Sequence, residues 1–202
     1  MGLSLRLGCL DDHWLADLDR ANAALEAAGL APHSEPKEID KGAVQRECRF
    51  AEFQDYPSLA FPYSFVHLLR RIHTRAKLGI DPLGEPVQDA SDDDEYRLSL
   101  ADSYPEIAVA SHLCWHSDTD GYYLPVDFPR PLTMDGEAVG SSVGLAAELA
   151  VVGEALGYTD LDQWLAQEDD ESDPWEREKH CWAAMTEMTR LSLKFRTALV
   201  FS

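Results

Sequence analysis

The sequence predicts an α+β fold in which helices predominate and a small β-sheet or hairpin accompanies them. Three observations support this prediction: an alternating apolar segment at the N-terminus, four segments with apolar residues at helical spacing, and a short apolar segment at the C-terminus. Apolar residues make up 45% of the chain, which is enough for a folded core. A chain of 202 residues can form one such core, so we expect a single globular domain over 1–202.

Both ends of the chain are predicted to be strands. In residues 2–8, leucines alternate with polar residues, which is the period of a strand with one buried face. Residues 198–201 form a short apolar run after the last predicted helix, and we expect this run to be a final strand. The final strand is expected to lie beside the first one.

Four helices are predicted from apolar residues that recur three and four positions apart. Three of them begin at a capping residue or at proline, and glycine ends three of them. The predicted helices run from Asp11 or Asp12 to Gly29, from Phe65 to Gly79, from Ser141 or Ser142 to Gly157, and from Pro174 to Thr197.

The charge of the chain limits its direct ligands. There are 37 acidic and 17 basic side chains, which gives a formal net charge of -20. This charge repels phosphate backbones and anionic lipids, so we expect no direct nucleic-acid ligand and no membrane partner. The same charge would speed association with a basic protein, although acidity can also serve solubility alone.

The cellular compartment is predicted from the cysteines and from segments that the sequence lacks. The N-terminus has no signal-peptide pattern, and there is no stretch of about 18 apolar residues that could span a membrane. We therefore expect a cytoplasmic protein with reduced thiols. The cysteines are scattered, with no C-x-x-C pair and no disulfide framework: Cys9, Cys48, Cys114 and Cys181.

Two acidic runs are expected to lie on the surface. Asp92, Asp93 and Asp94 belong to a segment rich in Pro, Gly and Asp, and adjacent like charges should stay in water. A second run spans 168–173. Both runs are candidates for electrostatic docking, with Asp92, Asp93 and Asp94 as binding residues. Residues 70–77 form a dense basic run, which is expected to be a solvated helix face paired with nearby carboxylates, although it could also hold an anion.

The segment most typical of a functional site is the loop from His116 to Asp127. Its polar residues occupy positions one, three, five and twelve of an EF-hand-like calcium loop. The pattern departs from calcium loops in its first and last ligands, in Pro125, and in flanks that suggest strands. A histidine suits a borderline or transition metal better than calcium. The candidate metal ligands are His116, Asp118, Asp120 and Asp127, and the candidates to orient a bound substrate are Tyr122 and Tyr123.

Three interpretations of this loop remain open. Asp120-Gly121 is a strong turn signal, so the loop can be a β-hairpin whose carboxylates bond turn amides. It can instead hold a divalent metal. It can also form a metal-free polar pocket in which His116 and Asp118 act as an acid/base pair. No P-loop, dinucleotide-binding, zincin or nucleophile-elbow motif occurs in the sequence.

Three short segments resemble a bacterial family of uncharacterised proteins. They are H-S-D-T-D-G-Y-Y-L-P-V-D-F from His116, Gly140-Ser141-Ser142 at the start of a helix, and Pro174-Trp175-Glu176 at the start of the last helix. The resemblance covers a minor part of the chain. It implies a bacterial cytoplasmic protein and brings no activity with it.

Two classes of function follow from these observations. The first is an acidic interaction protein, such as an immunity or inhibitor protein, that binds a basic partner. The second is a small metal-binding protein or hydrolase that uses the His116–Asp127 loop. The unusual charge and the lack of a recognised catalytic motif favour binding over catalysis. We therefore predict an acidic interaction protein and leave enzymatic activity open.

Overall fold

The computed structural model describes residues 2–36, 39–50, 52–53, 58–62, 64–94, 96–97, 109–115, 121–167 and 172–201. These residues form a six-stranded mixed sheet with helices packed on both faces. The predicted α+β class is confirmed. The sheet is larger than the small sheet or hairpin expected from the sequence, because three strands that were not predicted are only three to five residues long.

The sheet joins the two ends of the chain. Its strands are β1 (Gly2–Leu7), β2 (Leu59–Pro62), β3 (Gly121–Leu124), β4 (Leu132–Met134), β5 (Glu137–Ser141) and β6 (Leu199–Phe201), arranged in the order β2-β1-β6-β3-β5-β4. β6 is antiparallel to both β1 and β3, so the predicted pairing of the first and last strands is confirmed. β3 and β5 run parallel, and the edge strands β2 and β4 are antiparallel to their neighbours.

The helices follow the predicted order. They are α1 (Asp12–Ala27), α2 (Lys41–Glu47), α3 (Ser64–Lys77), α4 (His112–Trp115), α5 (Ser142–Ala155), α6 (Leu161–Leu165) and α7 (Glu176–Phe195). The four predicted helices correspond to α1, α3, α5 and α7, with ends that differ by about two residues. Asp11 caps α1 by accepting hydrogen bonds from the amides of His13 and Trp14, and Ser141 caps α5 through the amide of Gly144. None of the described helices is both long and apolar enough to span a membrane.

The sheet separates two hydrophobic clusters. On one face, α3, α5 and α7 cover the leucines of β1, as the alternating pattern predicted, together with Tyr123 and Phe201. On the other face, α1 covers Tyr122, Leu124 and Val200. Alternate residues of β3 and β6 therefore belong to opposite cores.

Residues 112–115, ahead of β3 in the chain, are helical, and the predicted hairpin is wrong. The residues on the N-terminal side of the loop form α4, and β3 pairs with β5 and β6 rather than with a preceding strand. A half-buried carboxylate from α5 explains this local structure. Glu148 accepts hydrogen bonds from the amides of His112 and Leu113 at 3.0 and 2.6 Å, which caps the short helix. Glu148 lies 35 residues beyond Leu113, so no local pattern could reveal it.

Gly153 lets α5 approach the indole of Trp182 on α7. A β-carbon at Gly153 would lie 2.7 Å from indole Cζ2, and the indole is held in place because its Nε1 donates to the Leu149 carbonyl at 2.8 Å. We expect Gly153→Ala to lower the free energy of unfolding by about 1–3 kcal/mol, measured in urea, because overpacking exceeds the benefit of alanine in a helix. The exposed substitution Ala147→Gly on the same helix gives the scale of helix propensity alone. A Gly153→Ala protein as stable as the parent would contradict this close packing.

Candidate partner-binding surface

Most residues of the predicted metal site lie outside the described residues. This applies to His116, Asp118 and Asp120, whereas Asp127 is exposed in the loop after β3. Within the described ranges, no group of three or more His, Cys, Asp or Glu side chains is placed to hold a metal ion. The metal site, and the acid/base pair of His116 and Asp118, therefore stay predictions.

The two tyrosines that were candidates to orient a substrate are engaged within the fold. The Tyr122 hydroxyl donates to the carboxylate of Asp17, and the Tyr123 hydroxyl donates to the His112 carbonyl at 3.0 Å. Burial raises the pKa of both phenols, and the Asp17 carboxylate adds to this effect at Tyr122. A role toward a ligand would require these hydrogen bonds to break.

Asp93 is buried, which corrects the expectation that the whole run Asp92–Asp94 stays in water. The residue is 6% exposed. Its Oδ2 atom accepts hydrogen bonds from Nε of Arg71 at 2.5 Å and from Nη1 of Arg75 at 2.9 Å. Oδ1 accepts from the amide of Tyr96. Although burial opposes ionisation, this amide and the two guanidinium groups lower the pKa of Asp93. Burial next to like charges is tolerated because two cations surround this one carboxylate.

Most of the basic run of α3 is buried, so the prediction of a solvated face is wrong except at Lys77, which is exposed. Arg70 and Arg71 are buried, and Arg75 is half-buried. Arg70 donates through Nε to the carbonyl of Leu113 at 2.9 Å. The predicted pairing with carboxylates is confirmed for Arg71 and Arg75.

Three arginines hold one loop of the chain by its backbone. We name residues 81–94 the acidic loop. Arg71 and Arg75 from α3, and Arg177 from α7, donate to carbonyl oxygens of this loop at 2.7–3.1 Å. A guanidinium group that binds a carbonyl orders the backbone without neutralising a carboxylate. The four acceptors are the carbonyls of Asp81, Glu85, Val87 and Gln88.

The side chains of the acidic loop carry negative charge outward. Main-chain amides of the loop bind three of its exposed carboxylates, which fixes their orientation. At Asp89, hydrogen bonds from the amide and hydroxyl of Ser91 lower the pKa, so this carboxylate is ionised at neutral pH. Asp94 forms an exposed ion pair with Arg97 at 3.4 Å, and such pairs contribute little. The exposed carboxylates are those of Asp81, Glu85, Asp89, Asp92 and Asp94.

Two other acidic regions contain carboxylates that pair with basic side chains. On α1, Arg20 binds the carboxylates of Asp17 and Asp135 and so compensates part of the negative charge there. Of the second acidic run in the sequence, residues 168–171 lie outside the described residues, and Asp173 forms an ion pair with a lysine of α7. Unlike the carboxylates that Arg20 binds, those of the acidic loop project from a backbone that arginines anchor.

The chain matches one protein-family model over nearly its whole length. A family model described as "Putative DNA-mimic protein" matches residues 1–201. The chain belongs to this family. The expected relation to an uncharacterised family is thereby confirmed, while the match does not test the segment from His116 as a family signature. No significant match was found among curated proteins or among solved structures.

The arginines that anchor the acidic loop in this member of the DNA-mimic family were not identified as anchors from the sequence. Arg71 and Arg75 are four positions apart on one helix, so they lie on the same side. The available sequence signal was a dense basic run in a strongly acidic chain, which indicates that these arginines bind groups within the protein. Arg177 lies on a different helix, and no local pattern connects it with the loop that it holds.

Loss of an anchor is expected to loosen the acidic loop. Arg177→Met removes the hydrogen bonds to the carbonyls of Val87 and Gln88. We expect native-state amide exchange in residues 83–92 to rise about ten- to hundredfold, because hydrogen bonds to charged groups contribute about 1.5–3 kcal/mol. Arg130→Met changes the charge equally at an exposed position and is the control. Equal acceleration in both variants would assign the effect to charge rather than to anchoring.

A buried carboxylate without a hydrogen-bond partner lies next to the anchor Arg177. Glu178 is 1% exposed, and neither of its carboxylate oxygens has a partner in the described part of the chain. Burial raises the pKa of Glu178. Glu187 on the same helix is also buried, but it accepts hydrogen bonds from the Arg49 amide and from the guanidinium group of Arg190. The helix therefore offers a matched pair of buried glutamates, one without partners and one with them.

These two glutamates are expected to respond oppositely to neutral substitution. Because the folded pKa of Glu178 lies above its ordinary value of 4.5, this group favours folding below that value, and stability is lost as the pH rises through the folded pKa. Glu178→Gln is therefore expected to raise the free energy of unfolding at pH 7, and this gain should disappear below about pH 4.5. Glu187→Gln should lower stability by about 1–3 kcal/mol at pH 7. Urea unfolding at several pH values measures both, and a loss of stability in both variants would contradict the assignment.

Proposed function

We propose that this protein binds a DNA-binding protein by presenting its acidic loop in place of DNA. The observation that carries the proposal is the arginine-anchored backbone of residues 81–94 with its five exposed carboxylates. Membership of the DNA-mimic family supports the same class of partner. The net charge of -20 favours approach to a basic surface and disfavours direct binding of nucleic acid.

The carboxylates match the chemistry of the phosphates that DNA-binding proteins recognise. Lysine and arginine supply many phosphate contacts in protein–DNA complexes, and both bind carboxylates through charge-assisted hydrogen bonds. Arginine can bind a carboxylate or a phosphate with the same bidentate geometry. A basic surface that recognises duplex DNA therefore has the groups needed to bind an ordered set of carboxylates.

The order of the acidic loop supports selective binding. A flexible acidic segment loses conformational freedom when it binds, and this loss weakens the complex. In the acidic loop, Arg71, Arg75 and Arg177 already hold the backbone, and loop amides already orient Asp89 and Asp92. Partners are then selected by the positions of the carboxylates as well as by their charge.

Competition with DNA makes inhibition the proposed mode of action. A partner whose phosphate-binding side chains contact the acidic loop cannot use them for duplex DNA at the same time. Binding of the partner to DNA and to this protein is therefore mutually exclusive. An immunity role is one form of this mechanism, in which the inhibited partner is a toxin that acts on DNA.

Displacement from DNA tests this function directly. Proteins of a bacterial lysate that are retained on a duplex-DNA resin would be challenged with this protein at constant ionic strength. We expect a small set of proteins to be released, each in a complex from which added duplex DNA displaces this protein. Polyglutamate at equal total charge is the control for non-specific polyanion effects. Release of the same proteins by polyglutamate, at the same charge concentration, would contradict a structured mimic.

Neutral substitutions in the acidic loop are expected to weaken binding to a released partner. In Glu85→Gln/Asp89→Asn/Asp92→Asn, the amides preserve hydrogen-bonding groups but remove three charges. We expect the affinity to fall about ten- to hundredfold and its dependence on salt to become shallower, as each lost ionic contact contributes about 0.5–1 kcal/mol.

A matched variant separates the loop from net charge. Asp19→Asn/Glu26→Gln/Glu154→Gln changes the charge equally at exposed positions of α1 and α5. Titration calorimetry at several salt concentrations compares the two variants. Equal losses of affinity would show that net charge, rather than the acidic loop, determines binding.

A further inference from the structure

Gly84 lies where the backbone of the acidic loop contacts two arginines of α3. Its φ of +59° falls in the left-handed region, which glycine adopts without a steric penalty. A β-carbon at this position would lie 2.9 Å from Nη2 of Arg75 and 3.1 Å from Nη2 of Arg71. Both separations are shorter than an ordinary van der Waals contact. The backbone can therefore lie directly against both guanidinium groups only because residue 84 has no side chain.

The guanidinium groups are not free to move aside. The end of an arginine side chain is usually flexible enough to relieve a close contact. Here Arg71 donates through Nε to Asp93 at 2.5 Å and through Nη2 to the carbonyl of Glu85 at 2.9 Å. Arg75 donates through Nε to the carbonyl of Asp81 at 2.8 Å and through Nη1 to Asp93 at 2.9 Å. A shift of either group would weaken hydrogen bonds that its charge makes strong.

The backbone around Gly84 is also held in place. The two carbonyls that the arginines bind, those of Asp81 and Glu85, lie on either side of Gly84 in the chain. Between them, Leu83 packs against the hydrophobic core, and its amide donates to the carboxylate of Asp81 at 3.2 Å. A β-carbon at Gly84 would therefore displace either an anchored backbone or a bound arginine.

We propose that Gly84 is the residue that positions the acidic loop for its partner. This inference rests on the proposed binding of a DNA-binding protein and adds a specificity-determining residue to it. The exposed carboxylates of Asp81 and Glu85 lie close to Gly84 in the chain, so a side chain at Gly84 would move charges without removing any. A partner that recognises the positions of the carboxylates would then bind less tightly. A flexible polycation, which recognises charge alone, would bind as before.

Alanine at two glycines with positive φ separates the close contact from backbone strain. Gly79 has a φ of +71°, but a β-carbon there would meet no heavy atom of the described residues within 4 Å, its chain neighbours aside. Gly84→Ala and Gly79→Ala therefore carry similar strain, and only Gly84→Ala meets the arginines. We expect native-state amide exchange of residues 83–92 to rise about ten- to hundredfold in Gly84→Ala, because hydrogen bonds to charged groups are lost. The rise in Gly79→Ala should be far smaller.

Release from DNA measures the consequence for binding. Each protein would be added to bacterial DNA-binding proteins held on a duplex-DNA resin, and the concentration that releases half of a bound protein would be recorded. Oligolysine serves as the ligand that reports charge alone. We expect Gly84→Ala to require about tenfold more protein for release, because a loosened loop must be ordered on binding. Gly79→Ala should match the parent, and all three proteins should bind oligolysine equally.

Several results would overturn the proposal. They are equal amide exchange in the two variants, unchanged release by Gly84→Ala, release that weakens equally in both variants, or a matching loss of oligolysine binding. Urea unfolding checks the fold of both variants, and a Gly84→Ala protein that is unfolded in buffer would assign the residue to the stability of the whole fold. A parent protein that releases nothing from the resin would instead contradict the proposed function, while amide exchange would still decide whether Gly84 positions the loop.

Discussion

The buried carboxylate of Asp93 is the group on which the acidic loop depends. Arg71 and Arg75 both bind it, so two cations surround one anion in a region largely shielded from water. The remaining donors of these guanidinium groups need acceptors, because buried polar groups without partners are strongly unfavourable. Carbonyl oxygens of the loop supply acceptors for Nη2 of Arg71 and for Nε of Arg75, whereas Nη1 of Arg71 has no partner in the described part of the chain. The position of the loop and the burial of α3 arginines are therefore coupled, and neither arrangement is favourable without the other.

The surface of the folded protein is more negative than its composition alone would suggest. Some basic side chains bind backbone carbonyls: Arg70 binds the carbonyl of Leu113, and Arg177 binds two loop carbonyls. A cation used in this way is not available to neutralise an exposed carboxylate. With 17 basic against 37 acidic residues, each cation turned inward leaves the outer charge less compensated. Placement of cations is thus as important to the electrostatic surface as the number of carboxylates.

Local patterns predicted those parts of the fold that local interactions determine. α1, α5 and β1 were predicted because their caps, final glycines and periodicity lie within the segments themselves. Strands β2, β4 and β5 were missed because they are short, and β2 also owes its position to β1, a pairing partner far along the chain. The charge and residues 92–94 pointed to the region of the acidic loop, but the burial of Asp93 was not foreseen, since its partner Arg75 lies 18 residues away. Backbone carbonyls have no sequence signature, so the arginine anchors could not be predicted from motifs.

The anchoring hydrogen bonds end on backbone carbonyls, so the ordered structure of the acidic loop does not depend on the charge of its side chains. Every residue provides the same carbonyl acceptor, so Glu85 and Asp81 can vary in side chain while the hydrogen bonds from Arg71 and Arg75 persist. The carboxylates can therefore be matched to a partner without loss of loop structure. Salt acts differently on the exposed carboxylates of the loop and on the buried ion pair that holds it. Ions screen exposed charges beyond about 8 Å at physiological ionic strength but screen buried pairs much less. Added salt should therefore weaken a complex formed by the acidic loop while the Arg71–Asp93 pair continues to hold the loop in place.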